Sequence, residues 1–443
     1  MTTPVYDFAR KYADSDAVRM HMPGHKGKPF LGCEPLDLTE FSGADELFAP
    51  HGIIAESEAN ASEIFGCQTV YSAEGSSLCI RAMLWLAMRD AVSKGRKPVI
   101  AAGRNAHKVF LTAAALLDIE ILWLPQTGSY LESAQTWEQC LSAVDRPAAL
   151  YLTSPDYLGN LADIRAAAAF CHAHDMLLLV DNAHGAYLKF LPESLHPSDL
   201  GADLCCDSAH KTLPVLTGGA YLHIGGSAPE TVRKNAKNAM SLFASTSPSY
   251  LILESLDLCN KYLKKQYHTD LHTLTGKVSR LKEALISRGW QLSGTEPVKL
   301  TICPKSCGYT GTKLAGILEK HSIFVEFADP DFTVLMMSPQ NTDDDLQAVQ
   351  DILLQLPKLP PITEKPPAIP KPERILTPRQ AMLDSDTEAC PVMQCKGRIC
   401  AEFAISCPPA VPIVMCGERI SAEAAACMQY YGITHCTVIK TER

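Results

Sequence analysis

Between residues 66 and 225 short apolar or β-branched runs alternate with stretches of helical period. "KPVIAAG", "IEILWLP", "AALYLTS", "MLLLVDNAH" and "GGAYLHI" predict strands, and "AHKVFLTAAALLD" and "DIRAAAAFCHAHD" predict helices among them. Such alternation predicts an α/β domain with a mostly parallel sheet covered on both faces, where ligands bind beyond the carboxyl ends of the strands. Residues 251–289 lack strand signals and predict long helices that lead into a smaller domain. There "VKLTICP" and "IFVEFADPDFTVLMMSP" predict strands, and "TKLAGILEKH" and "TDDDLQAVQDILLQL" predict helices. The stretch "LPKLPPITEKPPAIPKPERI" holds too much proline for a helix interior or a central strand, and predicts a linker or strap. The expected parts are an N-terminal segment (1–55), a large domain (56–265), a small α/β domain (266–357), the linker (358–373) and a C-terminal module (374–443).

Composition narrows the function classes. A chain of 443 residues with 47% hydrophobic content is an ordinary globular protein, and a net charge of -9 without a basic run gives no electrostatic reason to expect a nucleic-acid or other polyanionic partner, so none is expected. The opening "MTTPVYDFARKYADSD" is polar where a secretory leader needs an apolar core. No later apolar segment reaches spanning length without a charge, so no membrane partner and a cytoplasmic location are expected. In that compartment the 17 cysteines are expected to be reduced thiols. Cys390, Cys395, Cys400, Cys407 and Cys416 lack the paired CxxC knuckles of a zinc site and are expected to be small core residues; no metal is expected.

The candidate chemistry falls where those strands end. Asp181 closes "MLLLVD", and a carboxylate there is costly unless a cation or several donors meet it; a helix cap or a loop hydrogen bond is the plainer alternative. His184 follows three positions on, and Lys211 comes after the next strand-like run, as a surface cation or as an amine kept for covalent chemistry. Gly75, Ser76 and Ser77 open a helix whose first turn is a phosphate cradle or simply a capped end. There is no GxGxxG after the first strand and no GxxxxGK[ST], which argues against a dinucleotide or a nucleoside triphosphate. His107, after the strand "VIAAG", is a satisfied polar residue or a ring for stacking. Taken together, a phosphate-binding helix start, an aromatic ring, a strand-end Asp and a loop Lys are the parts that pyridoxal 5'-phosphate requires.

At this point the chain resembles the ornithine/lysine/arginine decarboxylase family of fold-type-I pyridoxal-phosphate enzymes, over nearly its whole length. The matching stretches are "HMPGHKG" (21–27), "DLTEFSGADELFAPHGII" (37–54), "RNAHK" (104–108), "VDNAHGA" (180–186), "SAHKTLP" (208–214), "STSPSYLILESLD" (245–257) and "CPPAVPIVMCGERI" (407–420). The resemblance implies an aspartate-aminotransferase-like large domain, a smaller α/β domain and a C-terminal module. By it, Lys211 bonds the cofactor's aldehyde, Asp181 partners its pyridine nitrogen and His107 stacks on its ring. Gly75, Ser76, Ser77 and Ser208 hold its phosphate, and His184 and His210 flank it as proton carriers. It also implies a homodimer or dimer of dimers with shared active sites, in which Ser247 of one chain reaches the cofactor of the other.

The reaction implied is decarboxylation of a basic amino acid (arginine, lysine or ornithine) to its amine within polyamine biosynthesis. Asp45, Glu46 and Glu402 are the acids in matched motifs that could meet a cationic substrate. Other pyridoxal-phosphate chemistry on the same scaffold, aminotransferase or lyase, stands as an alternative, as does a catalytically silent regulatory homologue. The chain resembles the short form of the family and departs from its usual pattern at three places. Glu74 stands for Asn in Asn-Gly-Ser-Thr, Asn182 for Glu in Asp-Glu-Ala-His, and Gly218 for Gln in Thr-Gln-Gly.

Overall fold

The structure, a computed structural model, describes residues 1–125, 137–138, 146–368, 371, 373–407 and 411–440, with backbone only for 404–407. The chain begins with helices α1 (Pro4–Ala13) and α2 (Ile53–Phe65). It continues through β1 (Gln68–Ser72), α3 (Gly75–Ser93), β2 (Val99–Ala102), α4 (Lys108–Leu116), β3 (Glu120–Trp123) and β4 (Ala149–Thr153). Then come α5 (Ile164–Ala173), β5 (Leu177–Asp181), β6 (Leu204–Asp207), α6 (Ala209–Thr212) and β7 (Ala220–Ile224). Helices α7 (Glu230–Ser241), α8 (Tyr250–Tyr262) and α9 (His268–Arg288) follow. After them run β8 (Gln291–Ser293), β9 (Lys299–Cys303), α10 (Gly311–Glu319), β10 (Phe327–Ala328), β11 (Thr333–Met336) and α11 (Asp343–Gln355). The C-terminal elements are α12 (Pro378–Leu383), β12 (Thr387–Pro391), β13 (Ala404–Cys407), β14 (Val411–Met415), α13 (Ala422–Tyr430) and β15 (His435–Ile439).

The chain packs as two units, the first comprising Met1–Pro98, Val144–Ser154 and Asp163–His272. Its strands lie in the order β1-β7-β6-β5-β4. β4, β5 and β6 are mutually parallel, whereas β7 is antiparallel to both β6 and β1. Two reversals restore direction, so β1 ends at the same edge as β4, β5 and β6. Every residue of β5, β6 and β7 is buried, which a sheet shows only when both faces are covered. One cover is α3, which packs on β6 and β7 and against α7. Ser72, Asp181 and Asp207 close β1, β5 and β6, so the chemistry-bearing residues that follow them collect at one edge of the sheet, as the fold rule expects.

The second unit holds Val99–Ala143, Pro155–Ala162 and Thr273–Arg443. Here β2 and β3 run parallel, and α4 begins with the His107 ring accepting the Val109 amide (3.3 Å). The small-domain strands form an antiparallel sheet, β10-β11-β9-β8. The stretch expected as one strand, "IFVEFADPDFTVLMMSP", is a hairpin because Asp329 turns the chain by accepting the amides of Asp331 (2.5 Å) and Phe332 (2.6 Å). The start of the proline-rich stretch is a strap: the Leu359 and Ile362 amides bond the carbonyls of Cys307 (3.1 Å) and Lys305 (3.0 Å).

The C-terminal strands pair as β12 with β15 and β13 with β14, around a core in which Cys390, Cys395 and Cys400 pack with Val438, Ile420 and Met428. Cys416 is buried as well, and the Cys407 side chain lies outside the described residues. Arg104, in the "RNAHK" loop, forms a bidentate pair with Glu418 of the "CGERI" motif (2.7 and 3.0 Å), both side chains almost fully buried. No helix among the described residues is long and apolar enough to cross a membrane.

Candidate active site

Asp181 is 3% exposed at the end of β5. Its carboxylate accepts from the Tyr151 hydroxyl (3.1 Å) and the Ala183 amide (3.1 Å), with the Cys206 thiol at 3.9 Å. Burial, and then the Asp181 charge, push the Tyr151 phenol far above its usual value, so it stays a proton donor. Among the described residues the hydrogen-bond partners of this buried carboxylate are therefore all neutral. That environment suits a ligand bringing its own positive charge.

Ser208 follows β6 and is itself buried. Its hydroxyl donates to that of Ser76 (2.7 Å), which joins the end of β6 to the first turn of α3. The amide of Gly75 is taken by the carbonyl of Gly218 (2.7 Å), while a Cβ at Gly75 would meet nothing within 4 Å. Ser77 is half-buried in the same turn. Gly218 thus explains one departure from the family pattern. Its φ of +100° is a glycine conformation, and a Cβ there would come 3.0 Å from the Ala73 carbonyl oxygen. Glu74, the second departure, is exposed and accepts the Ser245 amide (2.7 Å), so it anchors the "STSPSY" loop. The third, Asn182, donates to Asp207 (2.6 Å).

Lys211 sits in the short helix α6, and in this chain it is exposed rather than buried. Its Nζ lies 3.0 Å from Nε2 of the buried His184. His210 turns Nδ1 to the Gly219 carbonyl (3.1 Å), and since a carbonyl only accepts, Nδ1 carries the proton. His107 is exposed at the start of α4, in the second unit.

The substrate acids fare differently. The Asp45 carboxylate takes the amides of Glu46, His51, Gly52, Ile54 and Ala55 at 2.8 to 3.3 Å, which makes it the cap of α2. Glu402 accepts the Thr437 amide (2.5 Å), and Glu46 is exposed. Ser247 is exposed, its amide bonded to the Ser245 hydroxyl (3.1 Å), and Ser249 makes no side-chain cap on α8. Two contributions were not found from the sequence: Tyr151 behind Asp181, and Asp207 beside Asn182. Neither carries a motif signal, because each acts on a residue from a different strand.

The donor set matches what pyridoxal 5'-phosphate needs: an amine with a histidine at hand, a buried carboxylate without a protein cation, and paired hydroxyls at an open helix start. Comparison with known proteins identifies the family. Residues 3–290 match the family profile described as Orn/Lys/Arg decarboxylase, major domain, and residues 365–437 match Orn/Lys/Arg decarboxylase, C-terminal domain. An arginine decarboxylase of Bacillus subtilis (strain 168) is 30% identical, covering 95% of this chain and 92% of its own. One from Halalkalibacterium halodurans is 29% identical, covering 95% and 91%. The fold is similar to that of the Francisella novicida lysine decarboxylase, with a TM-score of 0.81 at 18% identity, over 99% of this chain and 81% of that one. The chain is an amino-acid decarboxylase and belongs to the Orn/Lys/Arg decarboxylase family.

Proposed function

We propose that this chain binds pyridoxal 5'-phosphate through Lys211 and uses it to decarboxylate arginine, lysine or ornithine, arginine being the first to test because the two relatives described above are arginine decarboxylases. The observation that carries the reading is the Lys211–His184 contact at 3.0 Å beside the Ser208–Ser76 pair and the buried Asp181. When bound, the cofactor supplies an electron sink for the carbon that loses carbon dioxide. The protein does the rest. Asp181 holds a proton on the ring nitrogen, and Tyr151 keeps the carboxylate oriented. Ser76, Ser77 and Ser208 hold the phosphate with their hydroxyls, joined by the Ser76 and Ser77 amides at the start of α3. Lys211 Nζ and His184 Nε2 are close enough to pass a proton, and His210, with its Nδ1 proton fixed, offers Nε2 as a second carrier. The stacking role of His107 rests on the motif "RNAHK". A homodimer completes the proposal, supported by exposed apolar side chains between α1 and α2.

The test is direct. Borohydride added to the cofactor-loaded protein should mark Lys211 in peptide mass spectrometry. Lys211→Ala should lose the mark and lower turnover by roughly a thousandfold or more, as removal of a covalent-chemistry residue does. Carbon dioxide and amine should appear in equal amounts with one of the three amino acids. A keto acid in place of carbon dioxide would replace the decarboxylase reading with transamination.

A further inference from the structure

Asp207 is a carboxylate with no solvent exposure at the end of β6, one residue before Ser208 and four before Lys211. Three side chains meet it. His196 and His223, also fully buried, each turn Nε2 to Oδ2 at 3.0 Å, and Asn182 donates Nδ2 to Oδ1 at 2.6 Å. The far side of each ring is engaged too: His196 Nδ1 with the Ser198 hydroxyl (2.7 Å) and His223 Nδ1 with the Thr69 hydroxyl (2.9 Å). The two imidazoles differ in charge. Burial lowers His196 and keeps it neutral. Burial also opposes charge on His223, but the Asp207 carboxylate overrides it and raises the group to about 9. Burial alone would raise Asp207, yet the two imidazoles hold it well below the usual carboxylate range. The result is a sealed carboxylate–imidazolium pair with a neutral second histidine.

A buried pair of this kind is weak evidence for stability, since well-packed apolar residues often serve as well. Its placement says more. Asn182 follows Asp181, and its own amide bonds the Cys206 carbonyl (3.0 Å), so the Asn182–Asp207 bond adds a side-chain tie between the residue just past β5 and the last residue of β6. Those two strand ends carry the carboxylate for the ring nitrogen on one side and Ser208 and Lys211 on the other. Gly185 makes room for the tie, because a Cβ there would stand 2.0 Å from Asn182 Oδ1.

We infer that Asp207, fixed by His196 and His223, is a positioning residue that acts through Asn182 to set the spacing between Asp181 and the Ser208–Lys211 segment. The inference rests on the cofactor reading above, and it explains how this chain works with Asn at 182. The amide is a donor to a carboxylate supplied by the neighbouring strand.

The test titrates the cofactor-free full-length protein with pyridoxal 5'-phosphate and records affinity, the absorbance of the bound cofactor and the melting temperature before loading. Asn182→Ala removes the tie and leaves Asp207 with its histidines. It should weaken cofactor affinity roughly tenfold, the size expected for one hydrogen bond to a charged group, and shift the bound absorbance, with a smaller fall in melting temperature than Asp207→Asn causes. Asp207→Asn should weaken affinity at least as much and lower the melting temperature as well. The double variant should be no worse in affinity than Asp207→Asn alone, because both act through one bond. Wild-type affinity and absorbance in Asn182→Ala, or strictly additive losses in the double variant, would overturn the inference while leaving the cofactor reading intact. A wild-type protein that binds no cofactor would remove both.

Discussion

At the scale of single residues the candidate site centres on one buried carboxylate, Asp181. The Asp181 carboxylate meets only neutral hydrogen-bond partners among the described residues, and Tyr151 is one that a conservative substitution can remove. Tyr151→Phe keeps the ring and deletes the hydroxyl that bonds Asp181 at 3.1 Å. A hydrogen bond to a charged group is worth about 1.5–3 kcal/mol, so turnover should fall at least tenfold with the fold retained. Steady-state kinetics beside Asp181→Asn would check it. If Tyr151→Phe matched wild type while Asp181→Asn were inactive, the hydroxyl would have no part in holding the carboxylate. The placement of Asp181 and Lys211 at and after the ends of buried strands was legible in the sequence, because the apolar runs before them stand out. Asp45 was not. Its motif suggested a substrate partner, but five backbone amides converge on it, and a cap of that kind depends on the path of the chain through residues 45–55. The Asp207 network was equally hidden, since Asn182, His196 and His223 come from separate elements with no common spacing.

Among elements, α8 ties the N-terminal helices to the first unit. Asp257 accepts the amides of Val5 (2.9 Å) and Tyr6 (3.1 Å) at the first turn of α1 and the Ser57 hydroxyl (2.5 Å) of α2. The Tyr250 hydroxyl donates to the Asp45 carbonyl (2.5 Å). One turn along from Tyr250, Glu254 is 4% exposed, and its Oε1 has no hydrogen-bond partner among the described residues. Burial, then the charges of Asp37 and Asp257, push it up to about 8. The sign follows from linkage. A carboxyl whose folded value lies above its unfolded value of 4.5 favours the fold in its protonated form; that stability is complete below 4.5 and is lost as pH rises towards 8. The melting temperature of cofactor-free protein should fall across that window, and Glu254→Gln should flatten the fall, with several degrees gained at pH 8 and little change at pH 5. Equal pH profiles for the two proteins would show that Glu254 is ionised without cost. Period and turn residues foretold most helices and the strands β2, β3, β4, β5, β7 and β9. They missed β1, whose "QTVYS" is too polar to stand out, and passed through the β10–β11 turn because apolar residues flank "DPD" on both sides.

At the scale of the whole molecule, the proposed homodimer has an exposed apolar surface to cover. The stretch between α1 and α2 leaves Val18, Met20, Met22, Phe30 and Leu31 between 70% and 87% exposed, more large apolar surface in one short span than a monomer ordinarily leaves in water. Lys211 and Ser247 are exposed in the same single chain, and neither position suits a finished active site. A homodimer that covers the apolar span and brings Ser247 of one chain to the cofactor of the other accounts for both facts. Lys211→Ala removes the amine, and Ser247→Trp blocks the phosphate side with a bulky ring. If each site takes Lys211 from one chain and Ser247 from its partner, a heterodimer of the two variants has one site with both lesions and one with neither. Random exchange of equal amounts makes half the dimers mixed, so activity should return to about a quarter of wild type. If both residues serve their own chain's site, every site in the heterodimer carries a lesion and nothing returns. Mass spectrometry of the intact mixture shows whether heterodimers formed, so silence from a mixture that contains them would place Ser247 outside the partner's site.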